Sequence, residues 1–123
     1  MIARGPNTLC PLPTLGDVDA VLARSASRPA VILKHGSTCG VSSQAYEEVE
    51  ALIAGPPLSA DVYLVDVWAD RAVSNAIATC LKIRHESPQV LLVDRGLVRW
   101  SASHFRVTAS AIRTALADLP TTA

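Results

Sequence analysis

Residues 29–46 read PAVILKHGSTCGVSSQAY, and the fold turns on how this stretch is parsed. PAVILKH is a short aliphatic and β-branched run between Pro29 and Gly36, too short for a helix and continuous enough to be a strand buried on both faces. Gly36-Ser37-Thr38 makes a tight link. SSQAYEEVEALIAG then carries Ala45, Val49, Leu52 and Ile53 on one face and Glu47, Glu48 and Glu50 largely on the others, until Gly55-Pro56-Pro57 stops it. Cys39 therefore falls at the start of a helix that follows a buried strand, where unpaired backbone N–H groups and the helix dipole favour a negative sulfur. Thiols so placed ionise at pKa values of about 3.5–7.5, against about 8.5 for a free cysteine.

The same reading extends outward. Upstream, TLGDVDAVLARSA from Thr14 to Ala26 spaces Leu15, Val18, Val21 and Leu22 as a helix, with Asp17 and Asp19 in its first turn. Downstream, DVYLVDVW reads as a strand and ADRAVSNAIATCLKI as a helix with Val73, Ile77, Cys80 and Leu81 at core spacing. QVLLVD and LVRWS are strands separated by Asp94-Arg95-Gly96, a spacing suited to an antiparallel hairpin, and a last helix covers Thr108 to Leu119. Crossover units followed by a closing hairpin predict an α/β domain with a mixed central sheet flanked by helices on both faces. Residues 1–13 contain prolines and read as a flexible N-terminal extension, and residues 14–123 as a single domain.

Composition removes several classes of function. Eleven lysines and arginines balance eleven aspartates and glutamates, so there is no field to gather phosphates, and nucleic acid is not an expected partner. No run approaches the roughly 18 apolar residues of a membrane span, and MIARGPNTLCPLP has no continuous apolar stretch for a secretory signal. The expectation is a soluble cytoplasmic protein whose thiols stay reduced. Cys10, Cys39 and Cys80 are far apart, which argues against a disulfide framework and a self-contained zinc site. His35, His85 and His104 have no metal-ligand spacing either; they are candidates for contact with a thiolate or substrate.

Around Cys39 each residue admits a functional and a plain reading. Cys39 is either a reactive thiol or a small apolar filler, and its setting among small polar residues favours reaction. Ser42 lies three positions on, on the same helical face, where it either donates a hydrogen bond to the thiolate or serves as a first-turn residue. It cannot resolve a disulfide. Thr38 is equally an N-cap or a substrate contact. Pro88 opens a buried strand and on general grounds is an ordinary trans proline. Cys80 reads first as a core thiol and second as a resolving thiol, and Cys10 as an incidental exposed thiol. Trp68 and Trp100 read as partly buried anchors.

Three stretches together, KHGSTCGVSSQAY, DVYLVDVWADRAVSNAIA and KIRHESPQVLLVDRGLVRWSASHFRVT, resemble the monothiol bacilliredoxins of the bacillithiol system, the YtxJ-type thioredoxin-like proteins, from about residue 29 nearly to the end of the chain. The resemblance implies a thioredoxin-like fold in which Cys39 faces a cis Pro88, with the Ser87 backbone open to an extended substrate segment. Gly40 and Val41 stand where the family usually has Pro-Ile, which alters the rigidity of the helix start. The implied activity is monothiol thiol–disulfide exchange: Cys39 takes bacillithiol from S-bacillithiolated client proteins, with Thr38, Gly40, Val41, Ser42, Ser87 and Pro88 around the sulfur. Free bacillithiol, the co-substrate, regenerates the thiol, and a separate disulfide reductase disposes of the product. No bound cofactor is required.

Two other readings compete. Cys39-Gly40-Val41-Ser42 differs by one residue from the Cys-Gly-Phe-Ser of monothiol glutaredoxins, which hold an iron–sulfur cluster between subunits. LVRWSASHF replaces the Gly-Gly turn and acidic residue those proteins use for glutathione, which ranks this reading second. The third is a thioredoxin-like binding module without turnover.

Overall fold

The structure is a computed structural model that describes residues 7–36 and 40–120. Its elements in chain order are β1 (Leu9–Pro11), α1 (Leu15–Arg24), β2 (Ala30–His35), α2 (Gly40–Ala54), β3 (Asp61–Asp66), α3 (Arg71–Cys80), β4 (Gln89–Asp94), β5 (Leu97–Ser103), a 3₁₀ turn (His104–Arg106) and α4 (Ala109–Ala117). The strands form one five-stranded sheet in the order β1-β3-β2-β4-β5. β1, β3 and β2 run parallel, β4 is antiparallel to β2, and β5 is antiparallel to β4. The sheet is mixed and helices cover both faces, as expected from the sequence.

Strand alternation divides the core. Val31 and Leu33 of β2 point to one face, where Val49 and Leu52 of α2 and Ile112 of α4 cover them. Ile32 points to the other, against Val18 and Val21 of α1 and Val73 and Ile77 of α3. Alternation also sends Lys34 to the α3 side, and its side chain is fully buried there. Local chemistry fixes the ends of these elements. Thr14 and Asp17 form a reciprocal capping box on α1, and the Thr108 hydroxyl accepts from Ala111 N–H at the start of α4. Arg95 and Gly96 both have positive φ, 53° and 76°, the geometry of a two-residue hairpin turn between paired Asp94 and Leu97. That turn is tied to α1 by bonds from Arg95 N–H to the Ser25 carbonyl and from Gly96 N–H to Ser25 Oγ.

Four details depart from the sequence reading. Leu9–Pro11, inside the stretch read as an extension, is a strand paired with Val62–Leu64. Asn7 beside it bridges the α2–β3 connection, donating from Nδ2 to the Ile53, Gly55 and Pro56 carbonyls and accepting from Leu58 N–H. Pro11 lacks an N–H but sits on an edge strand, where a proline is tolerated. Cys10 is consequently half-buried and packs against the α1/α3 core. β3 stops at Asp66, short of Trp68, because the Asp66 carboxylate accepts from Trp68 and Ala69 N–H and turns the chain. Those bonds hold the Asp66 carboxyl below the usual range.

Cys80 is the plainest correction. It is exposed, not a core thiol. The buried stripe of α3 is Val73, Ser74 and Ile77; at about 100° per residue its centre lies between Val73 and Ser74, which turns Cys80 off the stripe and lets Leu81 reach the core instead. The helix also ends at Cys80, with Lys82 at φ 54° turning the chain away.

Candidate functional site

In open α/β sheets ligands bind beyond the carboxyl ends of the parallel strands. Here the end of β2 meets the start of β4: Lys34 pairs with Gln89, so Gly36, which follows β2, and Ser87-Pro88, which precede β4, lie at the same end of the sheet. The end of β3 joins them through Val67 N–H, which donates to the His35 carbonyl at 3.0 Å. Ser37, Thr38 and Cys39 lie outside the described residues. α2 begins at Gly40, the residue after Cys39. Gly40, Val41 and Ser42 form its first turn, and the side chains of Val41 and Ser42 lie outside the described residues.

The Ser87–Pro88 peptide is cis. Pro88 is buried and Ser87 half-exposed. Their position is fixed from both sides. Gln89, itself buried, donates from Nε2 to the Arg84 carbonyl and accepts from Glu86 N–H, and the Pro88 carbonyl accepts from His104 N–H at 2.9 Å. The 3₁₀ turn that carries exposed Phe105 is thereby held beside the proline.

Two clefts flank the end of β2. On the α3 side a groove of about 360 Å³ is lined by Gly36, Val67, Trp68, Arg71, Ser74, Asn75, His85 and Ser87. Trp68 is 60% exposed, not the partly buried anchor its size predicts; it leans on Gly36, where an added Cβ would stand 2.9 Å from the indole Nε1. The Arg71 guanidinium lies over the same ring, 5.3 Å from its centroid. Ser74 Oγ is 3.4 Å from His85 Nδ1. On the other side, a cleft of about 590 Å³ is lined by His35, Ser43, Tyr46, Glu47, Glu50, Leu64 and Asp66, with the His35 and Tyr46 rings 5.4 Å apart.

Beneath the α3-side groove lies Lys34. Its Nζ donates to the Ser74 carbonyl at 3.2 Å, and burial lowers its pKa to about 8. It remains mostly protonated at neutral pH. Burial first, and then the charges of Lys34 and Arg71, hold the His85 imidazole below its usual value. Sequence reasoning passed over Lys34, although a lysine inside AVILKH is the signal that a charge is carried into the core. It also passed over Arg71, Ser74 and Asn75, which fall on the polar start of α3. Of the three histidines, His85 reaches the α3-side groove, His35 the opposite cleft, and His104 starts the exposed 3₁₀ turn.

Cys80 stands at the far end of α3 from Arg71, about 13 Å along the axis at 1.5 Å per residue, and so away from the groove that Ser87 lines. Among the described residues no group of three or more His, Cys, Asp and Glu side chains could hold a metal ion. No helix of the described residues is long and apolar enough to cross a membrane.

Comparison with known proteins agrees with this arrangement. The family described as monothiol bacilliredoxin BrxC matches residues 10–112. Among solved structures, one described as a candidate oxidoreductase with a thioredoxin fold is 25% identical, covering 87% of this chain and 92% of its own, with a TM-score of 0.77. A variant thioredoxin from Halobacterium salinarum is 16% identical with a TM-score of 0.74, covering 98% of both chains. The thioredoxin of Fasciola hepatica is 18% identical with a TM-score of 0.70, covering 88% of this chain and 96% of its own. With most of its length matched, the chain belongs to the monothiol bacilliredoxin family and is a thiol oxidoreductase of thioredoxin fold.

Proposed function

We propose that this protein removes bacillithiol from mixed disulfides on client proteins, with Cys39 as its nucleophile, in the cytoplasm. The observation that carries the reading is the family match over residues 10–112 on a chain whose Cys39 immediately precedes helix α2. A thiolate at that position gains from the N-terminal amides of a 15-residue helix. The Cys39 thiolate attacks the bacillithiol sulfur of the client disulfide. A Cys39–bacillithiol bond forms, the client–bacillithiol bond breaks, and the client leaves as a thiolate. A second bacillithiol thiolate then attacks the passenger sulfur, restoring Cys39 and leaving bacillithiol disulfide, whose two-electron reduction belongs to a separate reductase.

Thr38, Gly40, Val41 and Ser42 are assigned to the surroundings of the sulfur, and Ser87 and Pro88 to the edge along which the client strand lies. Ser42 suits this route because a cysteine there would compete by closing an internal bridge. Cys80 is given no role in the cycle. The test is release of bacillithiol from a modified client, followed by mass spectrometry. Cys39→Ser abolishes release and Cys80→Ser retains it; full activity in the Cys39 variant overturns the assignment.

A further inference from the structure

The two clefts beside the end of β2 differ in charge, and the difference selects a ligand. The α3-side groove has Arg71 as a fixed cation at its rim and buried Lys34 beneath Ser74. No carboxylate is among its described lining residues, and among the described residues none pairs with Arg71, since the ion pairs there join Arg24 and Arg28 to Asp61. The opposite cleft presents Glu47, Glu50 and Asp66 and repels an anion. Arg71 therefore offers a planar guanidinium, held over Trp68 and without a carboxylate partner among the described residues, in the geometry that receives a carboxylate through two parallel hydrogen bonds. Ser74, Asn75 and Ser87 add short polar side chains, and the exposed Trp68 side chain adds an apolar surface for a ring. A space of about 360 Å³ is the size of a small-molecule site.

Reach agrees with this. Gly36 lines the groove and lies three residues before Cys39, a chain distance of at most about 11 Å, so a thiol of modest size can span from sulfur to Arg71. We infer that this groove binds the carboxylate-bearing end of the small thiol carried on Cys39, with Arg71 as the residue that selects for the anion and Trp68 as the surface on which the ring rests. This inference rests on the function proposed above and adds the residues that hold the non-reacting part of the co-substrate.

The test uses the S-methyl thioether of bacillithiol, which cannot exchange, and the same compound with its carboxylates esterified. Both are titrated into the full chain by calorimetry, with the Trp68 indole N–H followed by NMR. The thioether binds and shifts the Trp68 signal. Arg71→Gln weakens its binding about twofold to fivefold, the factor carried by one exposed charge-assisted contact; Arg71→Lys recovers part of the loss, and the ester binds wild-type protein as weakly as the acid binds Arg71→Gln. In turnover, Arg71→Gln slows the first transfer, in which the passenger enters the groove, by a similar factor, and changes KM for free bacillithiol less, because that thiol meets a groove already occupied. Equal binding of acid and ester, or unchanged binding by Arg71→Gln, in a protein that does release bacillithiol from a client overturns the groove assignment alone. A wild-type protein that neither binds the thioether nor releases bacillithiol overturns the proposed function and this inference with it.

Discussion

Replacing Lys34 by methionine separates the charge beneath the groove from the volume that fills it. The lysine side chain is fully buried and its pKa falls from 10.5 to about 8 because burial penalises the ammonium. The unfolded chain therefore binds more protons than the folded one between about pH 8 and 10.5, and stability rises with pH across that window. Integrated from pH 7 to pH 10, a shift of this size amounts to about 2–3 kcal/mol on the usual scale of 1.36 kcal/mol per pKa unit. Methionine has nearly the same length and no charge, so the Lys34→Met protein lacks this contribution, whereas every other side chain is common to both proteins. The absolute difference at pH 7 also contains the loss of the bond to the Ser74 carbonyl. The informative quantity is therefore how the difference changes with pH. Urea unfolding of both proteins at pH 7 and pH 10 measures it: the wild type gains about 2–3 kcal/mol relative to the variant. Parallel curves at the two pH values would show that the ammonium is hydrated in the native state, and would refute the burial on which the charge of the groove floor depends.

Other outcomes follow from particular contacts. Asn7→Ala removes the side chain that joins the Ile53, Gly55 and Pro56 carbonyls to Leu58 N–H and lowers stability by about 1–2 kcal/mol in chemical denaturation, with no change in exchange rate. Gly96→Val places a β-branched residue at φ 76° in open space and costs about 1–2 kcal/mol by backbone strain alone, read as a lower unfolding midpoint. Gly36→Ala drives a Cβ to within 2.9 Å of Trp68 Nε1 and displaces the indole, seen as an altered emission spectrum in a Trp100→Phe background. Ser42→Cys shifts the accumulated species from the Cys39–bacillithiol adduct toward an internal disulfide, which non-reducing mass spectrometry detects.

How far the sequence carries the fold depends on the kind of signal. β2 and α2 were legible because PAVIL is a continuous apolar run and the following helix alternates sharply between Val49, Leu52 and the glutamates; the hairpin was legible because Arg95-Gly96 supplies the backbone freedom its turn needs. β1 was not, since three residues beside prolines carry no periodicity and the strand exists only through its pairing with β3. Cys80 was misread because helical spacing treats a helix as endless, whereas α3 stops there and the core is reached by Leu81. At the site, Cys39, Ser42 and Ser87-Pro88 stood out as chemistry within one segment each. The groove joins the loop after β3, the start of α3 and the loop before β4, and no local pattern in the chain announces that Trp68, Arg71 and His85 come together.

A single-cysteine mechanism places a demand on that groove which a two-cysteine enzyme escapes. With Ser42 in place of a second thiol, every cycle needs one small thiol carried on Cys39 and another arriving from solution to remove it, so a pocket that enclosed the passenger tightly would hold the product and slow the second attack. The recognising groups here are at the rim: Trp68 and Arg71 are exposed, and only the charge of Lys34 lies below. An exposed guanidinium–carboxylate contact is weak enough to exchange quickly, because solvent and salt screen it, yet it still orients an anion when the sulfur end is covalently tethered and its effective concentration is high. The arrangement therefore predicts that added salt slows the first transfer from a client, in which the passenger must engage Arg71 as it moves to Cys39, more than it raises KM for free bacillithiol, which meets a groove already occupied. Stopped-flow measurement of the two half-reactions at low and high ionic strength checks this; equal sensitivity of both steps, or greater sensitivity of the second, would mean that Arg71 does not hold the passenger.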